Sequence, residues 1–316
     1  FPTRRSSDLI PASVEEPVST TLPAKKFGQI IGNLSGGDVS METTEDEQTT
    51  LSCKQSFFRI HGLSADEFPR EDGLEAAWEF SMPAADFRRC LNKVSYAASE
   101  EDSRRALTGI LLSLREGLLT AVATDGRRLA VVENALQESV TSDGDVILPG
   151  KLVNEMQRAM GTEGDVHVTV SEARISFEFG TTRMVSKLIE GVYPNFRNVI
   201  PETFAMTAVM PREELLTVLN RVGTVLASDE DALTFELEDN GLTVSASSAE
   251  FGESREPLEI SYDGTPVTLA FNPMLLNEPI RHMESDQVIL HINDQFTPVQ
   301  LSGDEGFLCI IMPMHD

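Results

Sequence analysis

Few residues of this chain stand in a pattern that could carry a reaction. Its 51 acidic side chains offer many carboxylate pairs for general acid–base work, yet only Asp125, beside Thr124 and Arg127 in a strand connection, has a defined context. No serine or cysteine nucleophile elbow, phosphate-binding loop or dinucleotide glycine fingerprint accompanies it. Cys53, Cys90 and Cys309 are odd in number and scattered, with no CxxC, which fits reduced thiols packed into the cores of a cytoplasmic protein. His61, His167, His282, His291 and His315 form no HxxxH or HExxH spacing, so neither a metal nor a cofactor is expected. An enzyme is the weakest reading; the chemistry to look for is that of surfaces.

The elements that must position such surfaces repeat. Proline recurs at Pro23, Pro83, Pro149, Pro211 and Pro273, 60 to 66 residues apart, each time where a strand gives way to an amphipathic helix. Proline suits a first helical turn, which has no N–H obligation and wants φ near −65°. Phe87, Leu91 and Val94, like Leu215, Leu219 and Val222, follow at helical spacing. Alternating stretches such as VHVTVSEARISFEFGTTRMVSKLIEG come next, and turn signals such as Asp239-Asn240-Gly241 break them into antiparallel strands. The fold class is therefore α+β, a helix-plus-sheet unit of about 62 residues used repeatedly. One unit is too small a core, so two make a domain. Five copies leave one unit over, and the expectation is a chain that has lost its first half-domain. FPTRRSSDLIPASVEEPVS has neither helical nor strand periodicity, and residues 1–9 read as an irregular or extraneous leader without the apolar core of a secretory signal. No apolar run approaches a membrane span. Pro279, inside the last helix, is expected to kink or shorten it.

The net charge of −26 argues against nucleic acid until its distribution is read. The five helix segments carry ten basic residues against five acidic ones, so the acidity lies elsewhere. One face can be basic while the bulk repels polyanions.

Three stretches turn this pattern into a resemblance: Ala123–Ala130 (ATDGRRLA), Leu188–Pro201 (LIEGVYPNFRNVIP) and Ile310–Met314 (IIMPM). Their order and spacing, with the helix starts, closely resemble the bacterial sliding clamp family, the beta subunit of DNA polymerase III, over roughly residues 20–316. The resemblance implies a DNA-clamp fold: a homodimeric ring of repeated half-domains, helices lining the hole and sheets outside. It divides the chain into a leader (1–9), the second half of an N-terminal domain (10–75), a middle domain (76–203) and a C-terminal domain (204–316). It implies a non-catalytic processivity subunit that encircles duplex DNA and tethers the replicative polymerase, the clamp loader and repair proteins through a peptide pocket. Carried over by motif, the pocket walls are Leu107, Thr124, Gly126, Arg128, Leu129, Pro194, Val199, Pro298, Ile310 and Met312, with Arg104, Arg127, Pro313 and Met314 at the rim. Lys25, Lys26, Arg88, Arg89, Lys93, Lys151, Arg158, Arg221 and Arg281 become the candidates for sequence-independent phosphate contacts. Ring closure would use Phe58 and Ile60 on one subunit and Pro257 and Leu258 on the other, weakened here by the missing half-domain. Asn198 stands where the family commonly has an arginine. The alternative is an acidic scaffold that binds partners through strand edges without encircling DNA.

Overall fold

The computed structural model describes residues 11–68, 74–137, 143–228 and 231–314, with the backbone of residues 5–7. The chain forms two compact units, residues 9–73 and residues 1–8 with 74–316. The calls on His315 and on residues 1–4, 8 and 9 of the leader lie outside the described residues.

Residues 9–73 hold helix α1 (Ala24–Asn33), a three-stranded sheet of Ser40–Thr43, Gln48–Cys53 and Ser56–His61, and a two-stranded ladder of Thr20–Thr21 with Leu63–Ser64. The central strand alternates as its sequence does, burying Thr49, Leu51 and Cys53. Helix α1 has no buried residue, and Ile31 on its apolar side stays exposed. A single helix over three strands closes little apolar surface.

The larger unit contains α2 (Ala84–Ser95), α3 (Gly150–Ala159), α4 (Arg212–Val222) and α5 (Pro273–His282). Phe87, Leu91 and Val94 of α2, and Leu215, Leu219 and Val222 of α4, are fully or nearly fully buried, as their spacing predicts. The prolines act one position earlier than expected. Pro23, Pro83, Pro149 and Pro211 are N-caps with extended ψ, and only Pro273 opens its helix from inside, behind an Asn272 cap that accepts from Met274 N and Leu275 N. Each capping proline ends the incoming chain with φ already near the helical value. Helix α5 runs on through Pro279 to His282, as long as α1 and α3, so it is not shortened relative to them.

Three sheets back these helices. One has the order Arg5–Ser7, Thr182–Lys187, Arg174–Phe179, Asp165–Val170, Trp78–Pro83. Arg5–Ser7 therefore forms a strand, against the irregular leader expected there: its backbone pairs antiparallel with the otherwise free edge at Thr182–Lys187. A four-stranded sheet has the order Gly252–Glu259, Gly241–Ser248, Leu233–Glu238, Val267–Phe271. The third, of nine strands, crosses from middle to C-terminal domain: Gly144–Pro149, Gly109–Arg115, Leu118–Thr124, Arg128–Ala135, then Phe307–Ile311, Val299–Ser302, Gln287–Ile292, Met206–Pro211 and Ser261–Asp263. One apolar core, with Phe87, Phe177, Phe235 and Phe271 at its centre, runs under both domains.

Candidate docking pocket and helix face

The nine-stranded sheet brings two of the three motif stretches together. Strand Arg128–Ala135 pairs with Leu118–Thr124 on one side and Phe307–Ile311 on the other, placing Leu129 opposite both Thr124 and Ile310. Gln300 pairs next with Ile310, so Thr124, Leu129, Ile310 and Gln300 form one row across four strands. The third stretch supplies Tyr193, Phe196 and Ile200, which pack on the same apolar cluster as Leu129 and Ile310.

The turn between the first two strands is tightly built. Asp125 accepts from Arg127 N (2.8 Å) and Arg128 N (3.0 Å), and Thr124 Oγ1 donates to Arg128 O (2.6 Å). Gly126 has φ +89°, and an added Cβ would meet Arg104 Nη1 at 2.8 Å, so the turn uses both the positive φ and the close approach that glycine permits. Arg104 donates to Asp125 O (3.3 Å) from the surface, and Met312 N to Arg127 O (3.3 Å). Met312, Val199, Pro194, Arg104 and Arg127 are exposed, while Leu107, Thr124 and Pro298 are half-buried. Leu129 and Ile310, at the centre of the row, are themselves buried.

Two pocket expectations need correction. Arg128 is no wall: it is buried, pairs with Asp125 (3.1 Å), lies over the Tyr96 ring and donates through Nη2 to Tyr96 O at the end of α2. It braces the turn against the helix layer. Pro313 is buried and not at the rim, because the chain turns inward there and the half-buried Met314 donates its N–H to Ala270 O (2.7 Å).

Helices α2–α5 form one layer, α2 against α3 and α5, and α4 against α5. Lys25, Lys26, Arg88 and Lys151 are exposed and have no ion pair among the described residues. Arg89 pairs with Asp86 (2.8 Å), Arg158 reaches Glu155 (3.9 Å), and Arg281 reaches Glu278 (3.9 Å) and Asn220 (3.2 Å). Arg221 is held bidentately by Glu256. Lys93 is not a surface cation at all. Its side chain is 5% exposed, and its ammonium meets the 7% exposed Asp304 side chain of the C-terminal domain at 2.6 Å and sits over Phe307. Burial raises the Asp304 carboxyl, but hydrogen bonds from Lys93, Glu284 N and Ser285 N outweigh it and hold it below the usual range. A second interdomain contact is the stack of Tyr96 on His282 (4.7 Å). Sequence reasoning missed Asp304, Tyr96 and His282; the Ser302-Gly303-Asp304-Glu305-Gly306 turn was the available signal for the first.

The edges expected to close a ring are both sheet edges: Ser56–His61 in one unit, Gly252–Glu259 in the other. Phe58 and Ile60 are half-buried and Pro257 exposed. Leu258 is the correction, since strand alternation turns it into the C-terminal core. Burial pushes the Cys90 and Cys309 thiols up to about 12, which suits packing and not chemistry. Among the described residues no cluster of metal-ligating side chains occurs, and no helix is long and apolar enough to cross a membrane.

Repeated helix-and-sheet half-domains, a helix layer with free cations and a sheet continuous between domains define a clamp architecture. The solved clamp of Bacillus subtilis superposes with a TM-score of 0.93 at 21% identity, over 99% of this chain and 86% of that one. The beta subunit of Thermotoga maritima gives 0.88 at 26%, over 99% and 86%. Family models of the DNA polymerase III beta subunit match residues 5–72 (N-terminal domain), 81–195 (central domain) and 197–315 (C-terminal domain). The beta sliding clamp of Chlamydia muridarum is 29% identical over 310 residues, 98% of this chain and 85% of its own length. This chain belongs to the bacterial DNA polymerase III beta subunit family, the beta sliding clamps.

Proposed function

We infer that this chain acts as a sliding clamp, a non-catalytic processivity factor that tethers the replicative polymerase to duplex DNA. The observation that carries the reading is the match of three consecutive domains of one family along nearly the whole chain. The work is topological: a ring closed round the duplex cannot leave sideways, and loose contacts let it slide. Lys25, Lys26, Arg88 and Lys151 supply phosphate contacts that read no sequence, with the paired arginines contributing less. The Thr124–Leu129–Ile310 row, Pro194, Val199 and Met312 take the apolar anchors of short peptides from polymerase, clamp loader and repair proteins. Met312 suits ligands of varied shape because its side chain is flexible and polarizable. Two copies close through the Ser56–His61 and Gly252–Glu259 edges, in the cytoplasm where the chromosome lies.

Anisotropy of a fluorescent Gln-Leu-x-Leu-Phe peptide tests the docking half. Saturable binding by the chain, lost in Met312→Asp, is the expected result, because a carboxylate cannot be seated in an apolar pocket without a partner. Salt-sensitive retention on duplex DNA tests the other half, and its absence would favour a scaffold. Light scattering reports the dimer.

A further inference from the structure

We propose that the outer face of the nine-stranded sheet carries a second anchor site, for the residues that flank a partner's short motif, and that its ligand is an extended peptide segment with one apolar side chain beside a basic one. The inference rests on the docking reading above and extends it along the sheet.

Two residues along each strand from the Thr124–Leu129–Ile310 row lies a second row on the same face: Ile147, Leu111, Val122, Val131 and Leu308, each opposite the next. Both rows belong to one buried apolar cluster. The Leu188–Pro201 stretch lies over that cluster through Ile189, Tyr193, Phe196 and Ile200, with Ile189 N donating to Ile147 O (2.9 Å) at the sheet edge. It leaves a groove of about 720 Å³, with Leu111, Ile147 and Phe196 at its floor and Val192 at its lip. Val192 is 92% exposed, so its isopropyl group is free to contact a ligand in the groove.

The groove and the pocket share a wall. Pro194 lines the groove and is also a candidate pocket residue, and its neighbour Tyr193 packs on the cluster that holds Leu129 and Ile310. A peptide seated at the pocket therefore reaches the groove across Pro194, over the Leu188–Pro201 stretch that covers the second row. Four strand spacings of about 4.8 Å separate Ile310 from Ile147, roughly 19 Å, which about six extended residues span at ~3.3 Å each. Charge selects the flank. Arg115 and Asp145 pair with each other (2.6 Å), leaving Glu172, Glu190 and Arg197 at the groove, a net negative rim with Arg197 held over Phe196. A lysine or arginine beside the apolar anchor meets complementary charge there.

Three fluorescent peptides test this against the full chain by anisotropy: the Gln-Leu-x-Leu-Phe core, and the core with Leu-Lys placed six residues away on its N- or its C-terminal side. One extended peptide should bind about tenfold tighter than the core. Val192→Asp and Glu190→Lys, both at exposed positions, should each erase that gain while leaving core affinity unchanged. Equal affinity of all three peptides overturns the proposal, and so does a gain that survives both substitutions. Failure of the core peptide itself is a separate result, which would remove the docking reading on which this one stands.

Discussion

Replacing Lys93 by methionine probes the junction of the middle and C-terminal domains. Lys93 and Asp304 are 2.6 Å apart and almost wholly out of water. Deleting one partner of a buried pair costs about 3–5 kcal/mol, because the survivor keeps its desolvation without compensation. Methionine retains the stem that packs near Phe307, and Asp304 keeps the backbone donors of Glu284 and Ser285, so the lower end, about 3 kcal/mol, applies. For a unit of this size that is a fall of roughly 6–12 °C in Tm. The pH dependence gives the sharper signature. A carboxyl held below its unfolded value stabilises the fold above that value, and the stability is lost as pH falls through the folded one. The deficit of Lys93→Met should therefore be full at pH 7 and shrink on acidification below the ordinary aspartate range, as Asp304 protonates in both proteins. Thermal unfolding of both proteins from pH 7 to 3, with hydrogen exchange on residues 284–285 and 304–307, reads this directly. A deficit below 1 kcal/mol at pH 7, or one indifferent to pH, would refute the argument.

Gly126→Ala places a Cβ at φ +89° and against Arg104, and should cost about 1–2 kcal/mol while weakening the core peptide in the anisotropy assay; unchanged affinity would show that the turn is not what shapes the pocket. Arg88→Ala and Lys151→Ala should each lower the slope of log affinity for duplex DNA against log salt by about one, whereas Arg221→Ala should change it little, because Glu256 already neutralises that guanidinium. Cys90 and Cys309 should resist iodoacetamide at pH 8 until the chain is unfolded, as their thiols are buried and raised to about 12; rapid labelling of the native protein would contradict the packing described.

The repeat was legible because a proline between strand and helix is a local signal, and Phe87, Leu91 and Val94 announce their own buried face. Two of the motif stretches are neighbours through strand pairing, which places Leu129 between Thr124 and Ile310. What escaped was set by distant partners. Lys93 reads as solvent-facing beside Asn92, yet α2 packs on a second domain and its counter-ion lies 211 residues downstream. Arg128 is indistinguishable in the text from Arg127, and only Tyr96, 32 residues upstream, turns it inward. Leu258 follows strand alternation, which the resemblance alone did not weigh.

The sheet that crosses between domains also imposes an order in time. Strand Arg128–Ala135 is synthesised with its second neighbour, Phe307–Ile311, still roughly 170 residues away. At about 5–20 residues per second the ribosome needs some ten to thirty seconds to deliver it. Throughout that interval the middle domain presents an unpaired edge containing the apolar run Leu129-Ala130-Val131-Val132, the kind of surface that invites pairing between nascent chains on neighbouring ribosomes. On the docking reading proposed above, the pocket is completed late in translation, because a chain stalled before Phe307 lacks Ile310 and Met312.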